Sequence, residues 1–315
     1  MASAKSLILH HYDASPFSEK IRLALRLKNL AWTSVTIPNI MPKPDLLALT
    51  GGYRRTPVLQ IGADIFCDTS LMLIELERRY QIPTLALPGH EGLSRMIGAW
   101  VDYKWFQTSV AVIFGAIGEH VPQEFIDDRT ELSGRPFDLE GMKAAAPMMR
   151  DQWLAQLMWV ERRLDMARHA GTGDWLVGTK PGLVDVQAHM NIWFVERSVP
   201  DFLEACWAEA PLTRDWYSRL KAQTGQEPET IDAEEALSIA FDAAPSLKAA
   251  SAQHELRSLE PGDRVAVAAD DYGRDWVEGD LVIANPERII IARSDPRADH
   301  VHVHFPRVGY MLRPA

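Results

Sequence analysis

The sequence is short of cysteine and of positive charge, and it has no long apolar run. Its two cysteines, Cys67 and Cys206, lie far apart, with no Cys-x-x-Cys pair and no His/Cys cluster at zinc spacing. That excludes a disulfide-stapled scaffold and fits a reducing cytoplasm. Lys and Arg number 33 against 43 Asp and Glu, a net charge of −10, so a basic footprint for nucleic acid or an anionic membrane is missing. No stretch approaches the roughly 20 apolar residues of a membrane span. The opening "MASAKSLILHHYD" is broken by histidines and lacks a cleavage-site pattern, so it does not read as a secretory leader. Internal repeats and low-complexity tracts are missing too. The expectation is a cytoplasmic protein that engages neither nucleic acid nor membrane.

What is present is a chain of 315 residues, 47% hydrophobic, long enough for two or three domains with real cores. The first zone alternates periods. "SLILHH" and "WTSVTI" read as short strands, and "PVLQIGADIFC" as two strands around a Gly-Ala turn. Phe17, Ile21, Ala24 and Leu25 recur at helical spacing, with Glu19, Lys20, Arg22 and Arg26 on the other face. "TSLMLIELERRY" is helical again, with Asp68 placed to cap it. This order predicts an α/β layered domain over 1–83. From 93 to 250 the pattern is all-helical. From 257 to 315 "DRVAVAA", "GDLVIAN", "RIIIARS" and "HVHVHF" predict four or five short strands, a small antiparallel β-barrel or sandwich, since closure protects strand edges.

Three stretches carry candidate chemistry. "DASPFSEKIRLAL" sets Ser15 and Ser18 around a helix start. A helix N-terminus has unsatisfied N–H groups and about half a positive charge, so a hydroxyl there either caps the helix or helps hold an anion. "YRRTPVL" places Pro57 at the first position of a strand, an edge or turn position with access to the cis form. Read alone it is an ordinary trans edge proline; in the cis form it would turn the backbone of Val58 toward a peptide-like ligand. "FCDTSLM" puts Asp68 and Thr69 at a second helix start, suited to a carboxylate on the amides and an amine on Asp68, or to a plain cap.

In this order and spacing the three stretches resemble the glutathione transferase superfamily, most of all serine-type members with a Ser-Pro-Phe motif. The resemblance covers residues 5–250 and implies a thioredoxin-like N-terminal domain followed by a helical bundle, with the β-rich C-terminus as an addition. It implies glutathione as co-substrate and no metal. Ser15 would stabilise the glutathione thiolate, with Ser18 as the alternative. Pro57 would be the cis proline in "TPVL", flanked by Thr56 and by Val58, whose backbone would pair with the cysteinyl part. Asp68 and Thr69 would hold the γ-glutamyl end, and Arg54 or Arg55 the glycyl carboxylate. A homodimer is expected on the same ground.

"GTKPGLVDVQAHM" resembles the family's buried helix start, with Gly182 where a hydroxyl residue is usual and Asp185 in its place. Asp185 then serves folding. The second substrate, a small hydrophobic electrophile, would lie between the domains, and Tyr103, Phe106, Gln107 and Phe114 are the candidate lining. The reaction class is conjugation, isomerisation or ether cleavage. The rival functions are a non-catalytic binding scaffold of the same fold and a Cys67-dependent reductase. His300, His302 and His304 in "HVHVHF" share one strand face; side-by-side imidazoles can bind Zn or Ni, but no nearby Cys or carboxylate completes an obvious site, and that face is expected to be solvated.

Overall fold

The computed structural model describes residues 6–246 and 259–315. The expected alternation is present at the start: β1 (Ile8–His11), α1 (Pro16–Leu27), β2 (Thr33–Thr36), α2 (Pro44–Thr50), β3 (Val58–Ile61), β4 (Asp64–Cys67) and α3 (Thr69–Arg79). Pro16 occupies the first turn of α1, where its missing N–H costs nothing. Gly51, at φ +74°, ends α2 in the left-handed region that favours glycine. β1 pairs with β2 in parallel and with β3 antiparallel, and β3 pairs antiparallel with β4.

Helices follow: α4 (Glu91–Ala99) runs through a π-helical turn at Trp100–Trp105 into α5 (Phe106–Ile117). Then come α6 (Gln123–Ser133), α7 (Leu139–His169), α8 (Leu183–Ser198), α9 (Pro200–Cys206) and α10 (Pro211–Lys221). Asp185 sits fully buried at the start of α8, accepting from the Gly182 and Leu176 amides at 2.9 and 3.0 Å and from the Trp216 indole at 2.7 Å. Only half of a capping box is made, because Gly182 has no hydroxyl to return the bond. Burial lifts the Asp185 carboxyl to about 6.

Lys20 departs from the amphipathic reading of α1. It is fully buried, with both Asp102 oxygens 2.7 Å from its ammonium. The ion pair ties α1 to the π turn, a contact between helices that no local period encodes.

After α10 the chain returns to the sheet. β5 (Glu229–Thr230) pairs with β2, and α11 (Ala233–Phe241) packs by Ala236, Leu237 and Ala240 into the core on that side. So the segment 229–241, inside the zone expected to be all-helical, has the sheet as its packing partner. β6 (Arg264–Ala269), β7 (Val277–Ala284), β8 (Arg288–Asp295), β9 (Asp299–Pro306) and β10 (Tyr310–Pro314) complete the described chain.

These five strands pair antiparallel with one another, in the order β10-β6-β7-β8-β9. The ladder between β9 and β10 that would close a barrel is replaced by another: β9 pairs in parallel with β4, with Asp64 opposite His302 and Phe66 opposite His304. One ten-stranded sheet results. Docking protects the β9 and β4 edges, while β10 stays an outer strand of the sheet. Tyr310 still curls back to Phe305 and Tyr53, at ring distances of 5.4 and 6.5 Å.

Candidate functional site

The strand register brings the three candidate stretches together. His10 lies opposite Val58, and Val58 opposite Cys67. β1 ends, β3 begins and β4 ends at this one level. Tyr12–Ser15, Thr56–Pro57 and Asp68–Thr69 therefore share one end of the sheet. Two helices, α1 and α3, also begin there, each with its positive dipole end toward the same place.

Ser15 is the N-cap of α1. Its Oγ accepts from the Ser18 amide at 3.1 Å, which leaves the hydroxyl hydrogen to donate elsewhere. Both serines are buried; Ser15 stands at the sheet end as the cap, and Ser18 Oγ, one helical turn on, has no partner among the described residues. The Thr56–Pro57 bond is cis. Val58 is fully buried and held in ladders on both sides, which corrects the expectation that its backbone is open. The half-buried Thr56 lies just outside those ladders. Asp68 caps α3 through the Ser70 amide at 2.9 Å and has φ +74°, a conformation that a non-glycine residue rarely adopts. Thr69 follows it, 5% exposed.

The two arginines have separate internal partners. Arg54, 7% exposed, donates to the Asp128 carboxylate of α6 at 2.8 Å and to its backbone oxygen. Arg55 is ion-paired with Asp271, and its guanidinium lies 4.1 Å from the Tyr272 ring centre. The loop carrying both, between β6 and β7, is anchored by the Gly273 amide donating to the Leu132 oxygen at the end of α6. Tyr310 donates to the second Asp68 oxygen at 3.2 Å. The β-rich region thus reaches both residues expected to hold the two ends of the tripeptide.

Two residues at this sheet end escaped the sequence reading. Lys43 donates to the Arg54 oxygen at 3.2 Å and to Thr56 Oγ1 at 3.3 Å; burial, with Arg129 nearby, brings its ammonium down to about 8. Its signal was present: a cation immediately before a helix start opposes the dipole, so it is there for another reason. The Tyr12 phenol is pushed up by burial, against hydrogen bonding with Ser15 and Arg129.

A cleft of about 1020 Å³ adjoins this level. Its walls are the start of α3 from Asp68, the face of α4 at Ser94 and Gly98, Phe137 before α7, and the β-rich region at Tyr272 and Val308. Tyr103 and Gln107 line it as expected. Phe106 does not: it packs on Phe17 and Phe194, at 4.8 and 6.1 Å between ring centres. Phe114 is likewise covered, by Phe125 and Phe137. Both are drawn into aromatic packing between helices, which satisfies large rings better than a cleft wall. Gln187 was missed. It lines the cleft, is 6% exposed, and its Oε1 has no partner among the described residues.

Cys67 is fully buried, and burial together with Asp68 pushes its thiol well above the ordinary range. A buried protonated thiol is no nucleophile, which removes the basis for a Cys67 reductase. No described helix is long and apolar enough to cross a membrane.

Comparisons with known proteins bear on the same residues. The family model for the glutathione S-transferase N-terminal domain matches residues 9–84, and that for the C-terminal domain matches residues 132–224. A GST-like protein from Pseudomonas syringae is 34% identical, with TM-score 0.75, over 99% of this chain and 100% of its own. The β-rich region is therefore shared with that protein. The tau class enzyme of mango, Mangifera indica, is 17% identical with TM-score 0.51 over 69% of this chain and 89% of its own, a likeness of fold. FtsZ-localized protein A of Caulobacter vibrioides is 23% identical over 230 residues, 71% of this chain and 90% of that one. Two matched domains in family order, and a whole-length relative that carries the extra strands, place this chain in the glutathione transferase superfamily.

Proposed function

We propose that this chain binds glutathione at the shared sheet end and activates its thiol for attack on a small hydrophobic electrophile in the adjoining cleft. The observation that carries the reading is the common level of Ser15, Thr56 and Asp68–Thr69, with two helix starts aimed at it. A free thiol near pKa 8.5 is mostly protonated at neutral pH, and a helix start with a hydroxyl donor lowers that value. Ser15 donates to the sulfur as the proton leaves for solvent. The thiolate then forms the C–S bond as the leaving group departs, or as the electrophile's double bond takes up the charge. Thr56 meets the cysteinyl backbone, Asp68 and Thr69 the γ-glutamyl end, and Lys43 or Arg55 the glycyl carboxylate. Tyr103, Gln107 and Gln187 face the second substrate. A cytoplasmic homodimer is part of this reading.

A second reading is a binding scaffold without chemistry. Asp271 on Arg55 and the Tyr310 hydroxyl on Asp68 favour it, since both ligand-holding groups already have partners. The name of the Caulobacter relative, which ties that protein to FtsZ, also favours it.

Calorimetry with glutathione on the native chain and on Asp271→Ala, followed by turnover of a model aryl halide, separates the readings. The enzyme reading expects binding, tighter in Asp271→Ala, with turnover that falls about 10–150-fold in Ser15→Ala, the value of one charge-assisted hydrogen bond. Binding without turnover leaves the scaffold. Absence of binding in both proteins sinks the glutathione site.

A further inference from the structure

The histidine face of β9 is not solvated. His302 and His304 are 4% and 2% exposed, and only His300 is open. The missing carboxylate comes from β4, over two hundred residues earlier. Parallel pairing sets Asp64, 2% exposed, directly opposite His302. Asp64 Oδ1 lies 2.9 Å from His304 Nε2, and Oδ2 accepts from the Ser246 amide at 3.0 Å. One donor atom from each of Asp64, His302 and His304 lies within 4.8 Å of the others.

We propose that Asp64, His302 and His304 form a site for a divalent transition cation of the zinc type, bridging β4 and β9. Two imidazoles and one carboxylate are a donor set that zinc accepts, with metal bonds of about 2.0–2.2 Å. His-x-His on a strand puts both rings on one face, and the register supplies the third donor. Each ring keeps an unspent nitrogen: His302 Nδ1 and His304 Nδ1 are buried with no hydrogen-bond partner among the described residues. Such orphans are rare in folded proteins.

The nearby cation that acts on His304 is Arg288, and the Glu75 carboxylate offsets it. Arg78, Arg79 and Arg288 gather on the Glu75 carboxylate of α3, at 2.5, 2.5 and 3.4 Å. The exposed His300, 5.6 Å ring to ring from His302, marks the side from which an ion would arrive. The Phe66 ring, stacked on His304 at 4.3 Å, closes the opposite side. This inference is independent of glutathione: it concerns the joint between the two halves of the sheet.

The test uses the untagged full chain, stripped with EDTA and titrated with Co²⁺ and then Zn²⁺. One Co²⁺ per chain with the intense visible bands of a low-coordinate N/O site is expected, and Zn²⁺ displaces it. Zn²⁺ at a hundredfold excess over its Kd raises Tm by about 5 °C. In His302→Gln, which leaves the Asp64–His304 contact in place, the bands and the Tm rise disappear. A stripped native chain that shows neither bands nor a Tm rise overturns the site. So does a His302→Gln chain that keeps both, because the ion then binds elsewhere.

Discussion

The two faces of the shared sheet are built from different partners. On one face Leu9, Leu59 and Phe66 join α1, α3 and the helical bundle in a single core. On the other, Ile8, Val58, Ile65 and Cys67 meet α2, α11 and the inward side chains of β6–β10. Alternation along each strand separates the two cores residue by residue. The first face mixes apolar packing with ionised groups, Glu75 with its arginines among them. The second packs aliphatic and aromatic side chains around one neutral polar pair, His10 bonded to Gln60, which also donates to the Ala236 oxygen of α11. The β-rich region is therefore half of a core, and the N-terminal strands are a wall common to both.

The most severe way to break this comparison is a chain ending at Ser246. Burying a large side chain contributes about 1.5–3 kcal/mol. Loss of Ile289, Ile291, Val301, Val303 and Phe305 alone then matches the whole stability of an ordinary domain, about 5–15 kcal/mol. The shortened chain is expected in the insoluble fraction; a monodisperse, cooperatively melting product would mean the second face does not need its cover. Phe305→Ala is a gentler probe of the same face. It should lower stability by about 3–5 kcal/mol, read from the denaturant midpoint.

On the first face the test is pH. Burial opposes ionisation of Glu75, but hydrogen bonds and charge from Arg78 and Arg79 outweigh it and hold the carboxyl down to about 2 against an ordinary 4.5. A depressed acid contributes its stability above the unfolded value and loses it as pH falls through the folded one. About 3 kcal/mol should disappear between pH 4.5 and 2, and Glu75→Gln should flatten that part of the stability–pH curve. The smallest effect belongs to the bundle behind this face. Asp185→Asn turns one accepting oxygen into a donor facing N–H groups and should cost about 2 kcal/mol in urea unfolding. A change under about 0.5 kcal/mol would show that the half-made box is dispensable.

Much of this was legible in the residues, and the exceptions share a cause. The periods of α1, α3 and the C-terminal strands, the cap at Asp68 and the role of Asp185 are written in contacts a few positions apart. The β4–β9 ladder joins residues 64–66 to 302–304, and no local period records which edge a strand will choose. For that reason the histidine face looked exposed and Asp64 looked unrelated to it. Lys20 was assigned to water because helical spacing reports faces, while Asp102 on another helix decided its burial. Asp271 and Tyr272 lie in a turn whose composition says only that it turns; its position over Arg55 follows from the docked sheet.

That same parallel ladder has a consequence during synthesis. The β4 edge is complete at Cys67, yet its partner β9 spans Asp299–Pro306, more than two hundred residues later. At about 5–20 residues per second, the strand stands unpaired for roughly 10–50 s, its amides and carbonyls open to any passing extended peptide. Nascent chains of this protein are thus open to mispairing throughout that interval, and a holding chaperone would protect them best in it.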